Sequence, residues 1–504
     1  MKVLVILGHP RKDSYCAAVA AAYVRGAKEA GMEVAYLQLS DMNFEWNVIV
    51  PSPQYQHLED DIIKAQELIK WADHLAFVFP TWWGNMPALL KGFLDRTLTP
   101  GFAFREIQPD AFDKLLSPRT AQIITTMDTP VLVDRFMNGA PAVKALTNAT
   151  LKFCGVRPVR KMLLSPIKHS TDAKKQQWLM KAYEKGRGLQ KGVLTPWEKT
   201  MRKIAPWIQA IRFQFYPMTF FAYGIGALAF LKLHGGFDLT VFLLGYVLLF
   251  LMEVIVVFSN DYYDRETDRL NRFFSPFSGG SRVLVNGLIS ASAIKRAIKL
   301  LFFITCGLMV AVALLSATAF PHVVLMVSIL FLIAVSYTAP PLKLSYHGWG
   351  EVVVGFTHSF AVILCGFVFQ GGSMDTVFPW LLGVPLFLSI LPAIIMGGVP
   401  DFTADKQAGK RTLVVRLGRE KAAYLAAFFV SLSIVSTLLL SESALLQEIY
   451  GDMIYIAALH AIWLLVLLFR FARAERKPDR IDGILVVALS YIMWFALAPF
   501  IKLL

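Results

Sequence analysis

Short apolar runs separated by charged, amphipathic stretches fill residues 1 to about 190, and long apolar runs separated by brief polar loops fill the rest. In the first part, KVLVILGHP reads as a buried strand running into a loop, GHPRKDSYCAAVAAAYVRGAKEAG continues as an amphipathic helix, and EVAYLQL supplies a second strand. Strand, helix, strand predicts a parallel α/β sheet. HLAFVFPTWWGNMPALLKGFLDR ends a further strand at Pro80, places two tryptophans after it and then enters a helix, and AQIITTMD is another strand ending in polar residues. In such a fold these loops gather at the carboxyl edge of the sheet, where ligands bind.

In the second part nine runs approach the length a bilayer requires, at roughly 206–231, 240–259, 297–317, 321–338, 352–370, 378–398, 421–441, 450–471 and 483–503. Their loops alternate. Those near 260–296, 339–351, 399–420 and 472–482 hold nearly all the Lys and Arg of this part, whereas SATAFP, GGSMDTV and SESALLQEIYGD hold none. The positive-inside bias therefore predicts a multi-pass protein of the cytoplasmic (inner) membrane with the amino-terminal domain in the cytoplasm.

Composition agrees with a chain of two solvents, 56% hydrophobic and 17% charged over 504 residues. The net charge of +14 is at least partly topogenic, so no nucleic-acid partner is expected. The four cysteines, Cys16, Cys154, Cys306 and Cys365, form neither a metal-ligand spacing nor a disulfide framework, which fits a reducing compartment. MKVLVILGHPRK has too short an apolar core for a signal peptide and reads as the first strand. The segment EKGRGLQKGVLTPWEKTMRKIAPW, taken as a basic linker at 191–205, needs no function if solvated; as a membrane-surface segment it has Lys and Arg for anionic lipid and Trp197 and Trp207 for the interface.

Candidate chemistry sits at the ends of the apolar runs. The run Phe242–Val257 carries one charge, Glu253, and is followed by FSNDYYDRETDRLNR, in which Asn260, Asp264 and Asp268 recur at i, i+4 and i+8 with Asp261 at the edge. A lone acidic loop after a span is ordinarily a solvated face. A second pair, Asp401 and Asp405, follows the sixth span on the same side. Two facing carboxylate clusters repel unless cations sit between them, and hard oxygen ligands suit Mg²⁺. Magnesium wants phosphate, and Arg265, Arg269, Lys406, Lys410 and Arg411 supply complementary charge for a diphosphate. In SYTAPPLKLSYHGWGE, Pro340 and Pro341 stop the fourth span and leave Lys343 on the cytoplasmic side as a further diphosphate contact.

The second part resembles the UbiA-type intramembrane prenyltransferases, whose N-D-x-x-D-x-x-x-D motif appears as Asn260, Asp261, Asp264 and Asp268 and whose D-x-x-x-D motif appears as Asp401 and Asp405. The resemblance spans roughly 205–504 and implies an all-α bundle (206–504) around a lipid-open cavity. It further implies Mg²⁺ clamping a polyprenyl diphosphate between the motifs, and Tyr337 and Lys343 near the diphosphate. Arg212 either faces the aromatic acceptor or snorkels to the interface.

The first part, 1–190, resembles the flavodoxin-like NAD(P)H:quinone oxidoreductases. GHPRKDSY matches the phosphate-holding loop through His9, Ser14 and Tyr15, followed by Cys16, and FPTWWGNMPALLKGFLDR matches the flavin-ring loop through Pro80, Thr81, Trp82, Trp83 and Gly84. Thr126, in the strand AQIITTMD, is added to the cofactor-binding set. This chain has Tyr15-Cys16 where many members have Phe-Asn, and the loop after TTMDTP lacks the Tyr and His that assist hydride chemistry in some members. The resemblance implies FMN or FAD, NAD(P)H as reductant, and a homodimer, soluble members often being dimers. Together the two parts are expected to form a bifunctional enzyme of prenylated quinone biosynthesis, of menaquinone or ubiquinone type, that prenylates an aromatic hydroquinone and reduces a quinone. Reduction before prenylation, reduction of the prenylated product, and a flavin-binding regulatory module are the readings of the first domain.

Overall fold

The computed structural model describes residues 1–108, 111–451 and 453–504. The chain forms two compact units, Met1–Thr200 and Met201–Leu504.

The strands of the first unit are β1 (Lys2–Leu7), β2 (Glu33–Gln38), β3 (His74–Pro80), β4 (Phe104–Gln108), β5 (Ala111–Lys114), β6 (Thr120–Thr126) and β7 (Val159–Leu164). Five of them make one parallel sheet in the order β2-β1-β3-β6-β7, and β4 and β5 pair apart as an antiparallel hairpin. The central strands β3 and β6 are buried along their whole length, as a parallel sheet covered on both faces requires. Alternation along β1 feeds two cores. Leu4 and Ile6 pack with Ile62, Phe77 and Leu90, whereas Val3 and Val5 pack with Val19, Tyr23 and Ala182 from the helices Tyr15–Glu29 and Asp172–Arg187. The polar exception in β3 is His74, whose Nε2 lies 3.0 Å from the Tyr23 hydroxyl and Nδ1 2.7 Å from that of Thr120. Burial pushes its pKa down to about 4, so the ring stays neutral. The sheet order reverses direction between β1 and β3, and the loops that leave those two strands part there to open a crevice.

Among the described residues of the second unit eight helices are long and apolar enough to cross a membrane: Phe213–His234, Leu239–Tyr263, Ala291–Leu315, Gly350–Phe369, Val377–Gly397, Leu413–Leu440, Met453–Arg473 and Asp482–Leu503. The fourth expected span is the helix Phe320–Val335, whose 16 residues fall short of that length. At 1.5 Å per residue it is ~24 Å long, below the ~30 Å of a bilayer core. Pro321 opens it, and its end at Val335 precedes the turn that contains Pro340 and Pro341. The first span also begins later than its apolar run suggests. The amphipathic helix Pro196–Ile211 occupies the expected linker and ends where Arg212 turns left-handed at φ 58°.

Two glycines bring membrane helices into backbone contact. A Cβ at Gly226 would lie 1.8 Å from the Ile363 carbonyl oxygen and one at Gly366 2.0 Å from that of Tyr223, so Phe213–His234 and Gly350–Phe369 touch along reciprocal small residues. Near the middle of Gly350–Phe369, residues Thr357–Ala361 widen into a π-turn. The helix Ala291–Leu315 leaves Leu300, Phe303 and Leu314 more than 60% exposed, a face suited to lipid.

Candidate active site

The second span runs helically to Tyr263, breaks at Asp264 and resumes as Arg265–Leu270. The break does not rotate the acidic face away. Asp264 N donates to the Asn260 carbonyl and Asp268 N to that of Asp264, each at 2.8 Å, so the i, i+4, i+8 spacing survives. Asp401 and Asp405 lie on the turn and short helix after Val377–Gly397, again linked by Asp405 N to Asp401 O at 2.8 Å. Both sets line one cavity of about 360 Å³. The two halves predicted to face each other do meet.

Five aspartates share that lining with the two cationic side chains Arg212 and Lys410. Lys410 Nζ lies 2.9 Å from Asp264 Oδ2 and 3.6 Å from Asp405 Oδ1 and is itself buried. Tyr346 gives its hydroxyl to Asp264 Oδ1 at 2.9 Å, and the Lys410 ammonium stands 4.8 Å from the centre of its ring. Asn271 Nδ2 donates to Asp401 Oδ1 at 2.5 Å, and Ser281 holds Asp261 through its backbone N–H at 3.0 Å and through its hydroxyl. The Asp268 carboxylate receives no donor among the described residues. Burial, and then Asp264, Asp261 and Asp401 beside it, push its pKa well above the usual carboxylate range. Burial also raises Asp401 and Asp405, against the pull of Lys410.

Among the described residues no three His, Cys, Asp or Glu side chains converge closely enough to be a preformed metal cage. The donor chemistry nevertheless suits a hard divalent cation: the oxygens are carboxylates and an amide, the negative charge exceeds the local positive charge, and Asp268 stands unpartnered.

The basic residues separate into two groups. Lys410, Arg212 and the neighbouring Tyr337 line the cavity. Arg265, Lys343, Lys406 and Arg411 are outside its lining: Arg265 pairs with Glu266 at 2.9 Å, the Lys343 ammonium stands over the Tyr346 ring at 5.0 Å, and Lys406 and Arg411 are exposed. Arg212 is held over the Phe215 ring and near the Pro276 carbonyl with the cavity in front of it, so it is not merely an interfacial side chain.

Asn271, Gly280, Ser281 and Tyr346 are absent from the sequence-based set of candidates. A signal for the glycine existed, since Gly279-Gly280 follows the acidic motif in the same charged loop. Gly280 adopts φ +68°, and a Cβ there would sit 2.2 Å from Asp268 Oδ2 and 3.2 Å from Asp261 Oδ1. Gly280→Ala is therefore expected to displace Asp268 and to destabilise the second unit by about 1–3 kcal/mol, the cost of a forced backbone at a positive φ. Thermal unfolding of the purified variant against the wild type checks this.

In the first unit the loop after β1 brings His9 under Trp82, with ring centres 5.5 Å apart, and Ser14 caps the helix Tyr15–Glu29 by accepting from Ala17 N at 3.2 Å. The positive end of that helix and the loop form a cradle for an anion. Thr81 N donates to the Thr126 carbonyl at 2.7 Å, and Trp82 and Asn85 close a tight turn through backbone bonds of 2.8 and 2.9 Å. At its tip Trp83 (φ 49°) and Gly84 (φ 72°) are left-handed, and the Trp83 side chain is fully exposed. A strained, unburied tryptophan next to Trp82, which itself touches the loop leading into that helix, fits a planar, phosphate-bearing cofactor such as flavin. Cys16 and Thr126 are buried beneath, 3.2 Å apart, and Tyr15 donates its hydroxyl to the Lys175 carbonyl.

Residues 218–494 match the UbiA prenyltransferase family. The chain belongs to that family. Ahead of its UbiA domain stands a flavodoxin-like NAD(P)H oxidoreductase domain, residues 1–185 matching the flavodoxin-like fold. For the UbiA domain, the 1,4-dihydroxy-2-naphthoate octaprenyltransferase of Escherichia coli is 26% identical over 289 residues, which cover 56% of this chain and 89% of that one. For the oxidoreductase domain, an uncharacterized NAD(P)H oxidoreductase of Haemophilus influenzae is 30% identical over 180 residues, 34% of this chain and 88% of the relative. The rat NAD(P)H dehydrogenase [quinone] 1 is 27% identical over 230 residues, 41% and 81% of the two chains.

Proposed function

We propose that the UbiA domain transfers a polyprenyl group from its diphosphate to an aromatic hydroquinone, and that the flavodoxin-like domain reduces a quinone with NAD(P)H. The observation that carries the transferase half is the single cavity in which five aspartates at one end give way to apolar residues such as Leu249, Met252, Ile394 and Leu489. Carboxylates suit a cation and its diphosphate, whereas the apolar wall suits a prenyl chain and keeps water from an allylic cation. Asn260, Asp261, Asp264, Asp268, Asp401 and Asp405 would hold magnesium, which when bound neutralises the departing diphosphate. Lys410, poised between Asp264 and Asp405, would offer its positive charge to the phosphate oxygens, and Arg212 and Tyr337 line the same space. The relatives' names, dihydroxynaphthoate prenyl transfer on one side and quinone reduction on the other, support an acceptor that is a hydroquinone of the naphthalene or benzene series.

His9, Ser14 and the Trp82–Gly84 turn would hold FMN or FAD, which supplies the hydride chemistry between NAD(P)H and quinone. The Lys- and Arg-bearing loops follow the second, fourth, sixth and eighth spans, and the acidic motifs that converge in the cavity come from the first and third of these loops. That supports a cytoplasmic mouth in the inner membrane, with the flavodoxin-like domain on the same side.

Membranes containing the full chain, incubated with prenyl diphosphates, magnesium and a panel of naphthoquinols, benzoquinols and hydroxybenzoates, should yield a prenylated hydroquinone by mass spectrometry of the lipid extract. A product formed from no hydroquinone in the panel would refute the transferase half.

A further inference from the structure

Glu253 is the one charged residue in the run Phe242–Val257, and the acidic motifs do not account for it. It lies seven residues before Asn260 on the same helix, hence two turns and ~10 Å further into the bundle on the same face. Its side chain is mostly buried but lines the cavity. Oε2 accepts from the Thr219 hydroxyl at 2.8 Å, and Oε1 lies 3.8 Å from His358 Nε2. His358 is on the π-turn Thr357–Ala361, a local widening of the kind often found at functional sites. Its Nδ1 is 3.1 Å from both the Val354 carbonyl and the Thr357 hydroxyl, which leaves Nε2 turned toward Glu253. Thr219, Glu253 and His358 come from three different helices and all line the same cavity as the aspartates.

An ionisable pair at this depth is costly without a task. Thr357 lies beside His358, and Met218, Leu249, Met252, Val256 and Val362 are among the apolar residues that line the same cavity. The other titratable groups in the field of Glu253 are Tyr216 and Tyr246, on the helices Phe213–His234 and Leu239–Tyr263. The Glu253–His358 pair therefore stands about two helical turns, ~10 Å, from Asn260 at the acidic end of the cavity.

We propose that Glu253 and His358 form the acceptor subsite of the transferase, binding a phenolic hydroxyl of the aromatic substrate and taking its proton as the ring is alkylated. The assignment rests on the transferase reading above. The prenyl C1–oxygen bond breaks with its electron pair leaving on the diphosphate, and a ring π pair forms the new C1–carbon bond. The hydroxyl proton passes to the pair, so the ring is left as the keto tautomer rather than as a cation. Loss of the hydrogen from the alkylated carbon as a proton, and return of a proton to the oxygen, restore the hydroquinone with one proton released per transfer. The Thr219 hydrogen bond holds the carboxylate in place, and the π-turn aims the imidazole at it.

Full-length Glu253→Gln and His358→Asn proteins test this, the first keeping an acceptor for the Thr219 hydroxyl. Both should bind labelled prenyl thiodiphosphate like the wild type while kcat for hydroquinone prenylation falls about a hundredfold or more, the range of a lost general base. The acid limb of the wild-type pH–rate profile should disappear, and the deficit should shrink for acceptors with more acidic hydroxyls. Wild-type rates and pH profiles in both variants, an equal deficit for all acceptors, or loss of thiodiphosphate binding along with turnover would each overturn the assignment. If the wild-type protein itself alkylates no hydroquinone, it is the transferase reading that falls.

Discussion

Asp264→Asn and Asp405→Asn are each expected to reduce prenyl transfer by about a hundredfold or more while leaving NAD(P)H oxidation at the wild-type rate. The magnitude is that of removing one preorganised charge from a site where charge develops in the transition state. Asparagine is nearly isosteric and can still accept from Tyr346, so the local fold should persist in Asp264→Asn. The loss is electrostatic. Lys410, 2.9 Å from Asp264 and 3.6 Å from Asp405, would be left balanced by one carboxylate instead of two, and the cavity would hold a divalent cation less tightly. Raising the magnesium concentration should recover part of the binding deficit but little of the rate, because the removed charge also orients Lys410. Thiodiphosphate titration and single-turnover transfer separate these effects. Near-normal transfer in both variants would sink the assignment of the aspartates to the diphosphate end, and loss of NAD(P)H oxidation would point to a general folding defect.

The regular features of the chain were legible because each rests on a period. Four of the five parallel strands follow from apolar runs joined by amphipathic helices, whereas β7, VRKMLL with Arg160 and Lys161 inside it, has no such run; the two acidic motifs lie on turns of known spacing, so their convergence could be anticipated from the parity of the loops. The nine expected spans correspond one to one with eight long apolar helices and the shorter Phe320–Val335. What periodicity does not carry is the direction of a long side chain. Arg265 and Arg411 looked equivalent to Lys410, yet only the last turns into the cavity, because the short helix Phe402–Gln407 and the turn at Gly409 (φ 74°) bring it back over Asp405. Gly280 and Ser281 were likewise hidden. They act through close approach and a backbone N–H, and neither leaves a pattern in a single sequence. Glu253 was visible as a lone charge, but its partner His358 is more than 100 residues away and depends on a π-turn that no simple helical period would place.

When the acceptor is supplied as the oxidised quinone, prenylation is expected to depend on NAD(P)H, and supplying the chemically reduced hydroquinone should remove that dependence. The reason is electronic. A quinone ring is electron-poor and attacks an allylic cation poorly, whereas the hydroquinone has two oxygen lone pairs to release into the ring. A reductase domain in the same chain would, on this reading, deliver that nucleophile at an effective concentration that a short tether can raise to about the millimolar range. Cleavage near Gly192, an exposed left-handed residue (φ 84°) after the helix Asp172–Arg187, should therefore slow the quinone-fed reaction more than the hydroquinone-fed one. The hydroquinone-fed rate is the internal control, since it needs only the UbiA domain. Both forms of one acceptor have to be compared under anaerobic conditions, because air reoxidises the hydroquinone and erases the difference. Equal prenylation of the quinone with and without NAD(P)H would refute reduction before transfer. The prenylated quinone would then be the substrate to offer the flavodoxin-like domain: its rapid reduction by NAD(P)H would place that domain after the transferase, and failure to reduce any quinone would make it a regulator.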